Sequence, residues 1–279
     1  MIDCRADIHC HTHCSDGTDS ALDLLKKAKE IGLSGLSITD HDTIDAYTPE
    51  FFSKAEELGI RILTGIELSS EWQDTTVHVL GYNIDIYSEE FILFLAELIK
   101  RRDFRNSAII DKLKKKGFAI SFEELLAFGD RTIGRPHIAQ LLLQKGYVTS
   151  IQDAFQRYLG EGCSCFAQGI KYTPLEVIKE IHKAGGRAVL AHPHFIKRGR
   201  VLEQLLELPL DGLECYYGTL RKFQEKPWIE LAKKRGWIAT GGSDYHGSVK
   251  PHIQLGCSWV GPETFNILLT KRGSAPVVG

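Results

Sequence analysis

The chain has 279 residues, with 34 Lys and Arg against 36 Asp and Glu and a net charge of -2, so no global basic field draws it to nucleic acid or to an anionic membrane. A composition 43% hydrophobic and 25% charged is that of an ordinary globular protein, which excludes disordered, collagenous and coiled-coil chains. The longest apolar stretches, such as residues 91–99, fall far short of the roughly 20 residues a spanning helix needs. The N-terminal MIDCRADIHC lacks a signal-peptide core. Seven cysteines without a repeated C-x-x-C spacing read as reduced thiols, so a cytoplasmic protein is expected.

In chain order, short apolar runs that end in polar or glycine residues alternate with helix-period segments, the pattern of parallel β/α units. Residues 6–12 (ADIHCHT) read as the first strand. Residues 20–31 read as a helix, with Ala21, Leu24, Leu25 and Ala28 at helical spacing and Gly32 as C-cap. A strand over 35–39 runs into Asp40, His41 and Asp42, a helix follows over 49–58, and strands follow over 61–68 and 75–82. From 89 to about 159 only helix-period segments appear: 89–100, 101–116, 121–128, 135–145 and 150–159. Turn residues Gly117, Gly129, Gly134, Pro136 and Gly146 separate several of them. The β/α rhythm returns with a helix over 173–184, strands over 187–191, 212–216, 237–240 and near 254–260, and helices near 201–206 and over 224–235. The expectation is an α/β chain: a barrel of residues 1–88 and 169–279, interrupted by a helical insertion subdomain over 89–168.

Eleven histidines are present, and their positions carry more than their number. His9 and His11 lie two apart in a strand, so both imidazoles point to one face, as two ligands on one cation require. Asp16 follows in the next loop. His41 ends the second strand, Glu67 the third, His78 lies in the fourth, His192 ends a later strand, and Asp244 and His246 end another. In a β/α barrel the carboxyl ends of strands converge on the face where active sites lie. Six imidazoles and three carboxylates without a thiolate suit borderline or hard divalent ions such as zinc, manganese or iron. They are too many for one ion, so two or three are expected. Clustered cations acidify water and neutralise phosphate charge, which makes phosphoester cleavage the natural fit.

These residues carry a family resemblance. His9-x-His11, Ser15-Asp16-Gly17, Thr39-Asp40-His41-Asp42-Thr43, Gly65-Ile66-Glu67, His78, Ala191-His192-Pro193 and Gly242-Ser243-Asp244-x-His246 resemble the polymerase and histidinol phosphatase (PHP) family of metal-dependent phosphoesterases. The helical stretch with Gly134-Arg135-Pro136-His137 is similar to the insertion of the stand-alone branch, which hydrolyses nucleotide phosphates and trims short RNA from its 5′ end. The resemblance implies a distorted TIM-like (β/α)7 barrel and three metal positions. The first would be held by His9, His11, Glu67 and Asp244; the second by Glu67, His78 and His192; the third by Asp16, His41 and His246. Asp16 stands where some relatives carry His.

Catalysis is expected to rest on Glu67 and Asp244, with in-line attack of a metal-activated water on phosphorus and His194 as general acid or phosphate ligand. One of Asp40 and Asp42 is expected to orient His41 through its free ring nitrogen, and the other to cap the next helix. Arg105 and Arg135 are candidates for phosphate binding, because the guanidinium fork matches phosphate oxygens. Lys100, Arg101, Arg102, Arg105, Lys112 and Lys114 to Lys116 could form a local oligonucleotide path, and Tyr216, Tyr217 and Phe223 either stack a base or pack. The expected partner is a phosphorylated nucleotide or a short RNA, with no membrane and no obligate protein partner. Alternatives are a histidinol-phosphate phosphatase and a noncatalytic metal-binding module.

Overall fold

The computed structural model describes residues 5–127, 132–167 and 172–272. Cys4, Gly129, the expected helix end at 128 and the expected insertion boundary at 168 lie outside the described residues. The fold is mixed α/β. Strands β1 (Ala6–Cys10), β2 (Gly35–Ile38) and β3 (Arg61–Ile62) form a parallel sheet in the order β1-β2-β3. Strands β4 (Gly65–Trp72), β5 (Thr75–Tyr82), β6 (Arg187–Leu190), β7 (Gly212–Tyr217) and β8 (Ile238–Gly242) form a second sheet in that order. There β4–β5 and β5–β6 are antiparallel and the remaining pairs parallel. The two sheets touch at both flanks. Cys10 bridges Tyr245 beside β8, and His41, just past β2, bridges Glu67 of β4.

Helices follow their sequence signals closely. Ser20 caps α1 (Ala21–Glu30), which buries Leu24, Leu25 and Ala28. Thr48 and Pro49 open α2 (Pro49–Leu58), and Gly59 closes it at φ 68°, a left-handed conformation that costs glycine little. The expected helices 89–100 and 101–116 are one helix, α3 (Glu89–Lys115). No Gly or Pro lies between them, and a run of basic residues does not stop a helix. Beyond it come α4 (Phe122–Leu126), α5 (Arg135–Gln144) and α6 (Ile151–Ala154), the last continued by one π-helical turn over Phe155–Leu159. Helices α7 (Pro174–Lys183), α8 (Gly199–Leu205), α9 (Lys222–Arg235) and α10 (Pro262–Leu269) complete the order.

Two strand expectations are corrected as well. The strand expected over 61–68 is two strands, because the chain passes from one sheet to the other between Ile62 and Gly65. A Cβ on Gly65 would lie 2.2 Å from Ser37 Oγ, so only glycine fits that crossing. The strand expected near 254–260 is absent; Gly256 takes φ 73°, which breaks an extended run, and only Val260 bridges Ala6.

The main core gathers Leu24, Leu36, Phe51, Ile66, Val79, Phe91, Leu98, Ile178 and Leu213 among others, a second cluster joins Ala6, Ile8, Tyr82, Val189 and Phe265, and residues from Ile109 to Ala167 pack around a third. Helix α3 thus gives its first half to the main core and its second half to the helical segment. Among the described residues no helix is long and apolar enough to cross a membrane.

Candidate metal centre

Strand β1 and the residues just beyond it present His9 and His11 on one face, both fully buried. The loop after them folds tightly: a Cβ on Gly17 would lie 2.5 Å from His11 O, and Asp40 accepts hydrogen bonds from Thr12 N (2.7 Å), Thr12 Oγ1 (2.5 Å) and Ser15 Oγ (2.5 Å). Asp40 therefore secures the loop that carries Asp16. Asp42 accepts from Ser69 N (2.7 Å) and from Arg102 Nε of α3. Neither carboxylate bonds the His41 ring and neither caps α2, so the expected pairing of Asp40 or Asp42 with His41 is replaced by these structural roles.

Glu67, 1% exposed, is the centre of the cluster. Its Oε2 lies 3.2 Å from His9 Nε2, 3.1 Å from His11 Nε2 and 3.5 Å from His41 Nδ1, and its Oε1 lies 2.9 Å from His78 Nδ1 and 2.8 Å from His192 Nε2. Asp244 Oδ1 is 3.4 Å from each of His9 Nε2, His11 Nε2 and His246 Nδ1. Asp16 Oδ1 is 3.2 Å from His246 Nε2, and its Oδ2 is 3.7 Å from His41 Nε2. Three compact ligand groups result: His9, His11, Glu67 and Asp244; His11, Asp16, His41 and His246; and His41, Glu67 and His78. The first is the set named from sequence, and the second adds His11 to the expected one. In the third His41 stands where His192 was expected, although His192 still reaches Glu67.

Burial alone would raise the carboxylates, but the surrounding imidazoles outweigh it. Glu67 is held well below its ordinary value by His41, His78 and His9, and Asp16 by His246 and His41. Burial likewise opposes ionisation of Asp244, and Lys250, His246 and His9 overcome it. Burial pushes His41 down to about 3 and lowers His78 and His246. Burial also works against a charged His11, but Asp244 and Glu67 raise it to about 9.

The donor set fits divalent cations on the structure's own terms. His11 Nε2 and His41 Nδ1 are buried and make no hydrogen bond, although both face Glu67. Unpaired buried polar atoms are costly, and a cation would use those lone pairs. Backbone strain gathers here too: Asp42 (φ 55°), His192 (φ 27°) and Asp244 (φ 57°) are left-handed without being glycine.

A cavity of about 330 Å³ adjoins the cluster, lined by Asp16, His41, His78 and His246 together with Arg102, Arg105, Arg135 and Lys250. Both arginines named from sequence therefore line it. Arg105 is 8% exposed, bonds Asn106 through Nη2 and leaves Nε without a partner. Burial and the neighbouring Arg102 and Arg135 push it down to about 9. Arg135 lies over the Phe166 ring. His194 packs against Phe195 (4.2 Å between ring centres) and Tyr217 (4.7 Å); both its ring nitrogens are buried without a partner, and burial pushes it down to about 4. Much of the basic path is tied down: Arg101 to Glu97, Arg102 to Asp42 and Lys112 to Phe166 O. Phe223 is exposed on α9, whereas Tyr217 is buried with its hydroxyl on Asp244.

Sequence reasoning missed Glu214, Lys250 and the roles of Tyr217 and Arg102. Asp244 Oδ2 accepts from Tyr217 Oη (2.5 Å) and Lys250 Nζ (2.6 Å). Glu214 meets His9 Nδ1 at 2.7 Å. The one signal for Glu214 is an acid inside the apolar run GLECYY.

The PHP domain family model matches residues 7–177. The chain belongs to the PHP family. It is 32% identical over 261 residues to a 5′-3′ exoribonuclease of Haemophilus influenzae, covering 92% of each chain. It is 28% identical over 247 residues to a 3′,5′-nucleoside bisphosphate phosphatase of Chromobacterium violaceum, covering 86% of each. A crystal structure from Bifidobacterium adolescentis, provisionally assigned as a metal-dependent phosphoesterase, superposes with a TM-score of 0.85 at 32% identity and 95% coverage of both chains.

Proposed function

We propose that this chain is a metal-dependent phosphoesterase that removes phosphate from 3′,5′-bisphosphonucleosides or nucleoside monophosphates and trims short RNA from its 5′ end. The observation that carries the reading is the gathering of nine candidate ligand side chains, Glu67 at their centre, beside a cavity that some of them share with three arginines. The activities named for the two curated relatives support the substrate class.

In this reading His9, His11, Glu67 and Asp244 hold one divalent cation; Glu67 and His78, with His41 or His192, hold a second; and Asp16, His41 and His246, with His11, hold a third. Two or three such cations, of Mn2+, Zn2+ or Fe2+ class, would supply Lewis acidity that acidifies water and offsets the charge on phosphate oxygens. The protein does the rest. Glu67 offers one oxygen to each side of the cluster and would bridge two cations held there. Arg105 and Arg135 take phosphate oxygens in the cavity and orient the ester for in-line displacement. His194 is kept as general acid or phosphate ligand, a role that needs a substrate to reach its buried ring nitrogens outside the lining of that cavity. The eight strands are taken as a distorted TIM-like (β/α)7-type barrel, a closure supported by the bridges at both sheet flanks. Residues 89–168 are taken as its insertion subdomain.

The test is metal analysis of the purified protein with a phosphate-release panel of 3′,5′-bisphosphonucleosides, nucleoside monophosphates, 5′-phosphorylated oligoribonucleotides and histidinol phosphate. Turnover of the nucleotide members, lost in Glu67→Ala and in Asp244→Ala, is expected. Turnover of histidinol phosphate above all others would overturn the substrate class. No phosphate release with any divalent ion would overturn catalysis in favour of a binding module.

A further inference from the structure

Glu214 lies in the middle of β7, with no solvent exposure. A carboxylate so buried is stable only where its oxygens are paired. Its two oxygens have different partners, one in β1 and one just past β6: Oε1 faces His9 Nδ1 at 2.7 Å, and Oε2 accepts the backbone N–H of His192 at 2.6 Å. Both partners are ligand candidates. His9 turns its other nitrogen, Nε2, toward Glu67 and Asp244, and His192 turns Nε2 toward Glu67.

We infer that Glu214 is a positioning residue that sets two ligands at once, an inference that rests on reading the cluster as a metal centre. Acting on His9, it accepts the Nδ1 hydrogen, which fixes the tautomer and ring plane and leaves the Nε2 lone pair for the cation. Acting on His192, it holds the backbone N–H of a residue at φ 27° and ψ 58°, a conformation rare for a side chain larger than glycine. The carboxylate thereby couples the end of β6 to β1 across β7. Two acceptor oxygens are needed. Glutamine has the same length but one acceptor oxygen, so Glu214→Gln leaves either His9 Nδ1 or the His192 N–H without an acceptor.

The experiment measures Mn2+ binding alone to the purified full chain after chelation and, separately, the 15N chemical shifts of the His9 ring with diamagnetic Zn2+ loaded in its place. In the Zn2+-loaded natural sequence the His9 resonance is expected to report hydrogen on Nδ1 and none on Nε2. Glu214→Gln is expected to weaken Mn2+ binding by roughly 10–100-fold and to mix the His9 tautomers, while far-ultraviolet circular dichroism stays unchanged. A natural His9 carrying its hydrogen on Nε2 overturns the inference even if the variant does not fold. A folded variant with unchanged Mn2+ affinity and tautomer overturns it as well. Failure of the natural protein to bind Mn2+, or Zn2+ in its place, would overturn the metal-centre reading itself.

Discussion

Asp244 is held on one oxygen and left open on the other. Its Oδ2 is taken by Tyr217 Oη and Lys250 Nζ, and only Oδ1 faces the imidazoles. The two donors are expected to keep the carboxylate in a single-oxygen geometry toward the cluster. Tyr217→Phe or Lys250→Met alone should weaken Mn2+ binding, measured by titration after chelation. Because the two groups share one acceptor atom, the double variant should depart from the sum of the two losses. Unchanged affinity in both single variants would show that Oδ2 is not used in this way. These donors also show where sequence legibility stops. The nine ligand candidates are readable because most sit in a local motif at or just past a strand end, as in His9-x-His11 and Asp244-x-His246. Glu214, Lys250 and Arg102 touch those motifs only through the fold. Glu214 reaches a residue 205 positions away and Arg102 one 60 positions away. No spacing rule connects them.

Helix α3 ties the helical segment to the strands through the Arg102 guanidinium as well as through its apolar first half. Arg102 donates to Asp42, which is fully buried, and to Ser69 Oγ at 2.8 Å. Burial disfavours the Asp42 carboxylate, but Arg102 and the Ser69 N–H hold it below its ordinary value. Arg102→Met would leave that charge without its partner, at a cost of roughly 3 kcal/mol. Thermal unfolding of the metal-free protein should show the loss, and Asp42→Asn in the same chain should recover part of it. A melt indistinguishable from that of the natural sequence would show that the α3 contact is dispensable. Strand β8 gives a second case. A Cβ on Gly242 would lie 2.4 Å from His9 N and 2.5 Å from His9 Cβ, so Gly242→Ala must push β8 from β1 and move a ligand strand. A loss of about 1–3 kcal/mol with weaker Mn2+ binding is expected in the same two assays. Elements were legible where they carried their own punctuation, as Thr48-Pro49 and Gly59 do around α2. They were misread where punctuation was missing or overlooked. Nothing divides α3 at residue 100, while Gly261-Pro262 followed by buried Phe265 and Leu268 opens α10, a helix absent from the sequence expectation.

At the scale of the whole molecule, a near-neutral chain concentrates its buried ionisable groups in one place, and that concentration sets its pH response. In the metal-free protein burial pushes His41 from 6.5 down to about 3, so the unfolded chain binds the proton first and stability falls as pH drops through that window. The lowered His78 and His246 act in the same direction. His11 acts oppositely. Raised from 6.5 to about 9, it contributes stability in full below 6.5 and loses it as pH rises toward 9. Glu67, Asp16 and Asp244, all held low, add a loss that begins only below their ordinary values, as pH falls through the folded ones. The chelated protein should therefore be most stable near pH 6.5 and decline on both sides, read as melting temperature across about pH 4 to pH 9. His41→Gln should flatten the acid limb without moving the alkaline one, because it removes one buried imidazole and leaves His11 with its two carboxylates. A chelated protein whose melting temperature is level across that range would mean that the imidazoles do not share a buried site with the carboxylates. The cage of ligands on which the phosphoesterase reading depends would then be lost with it.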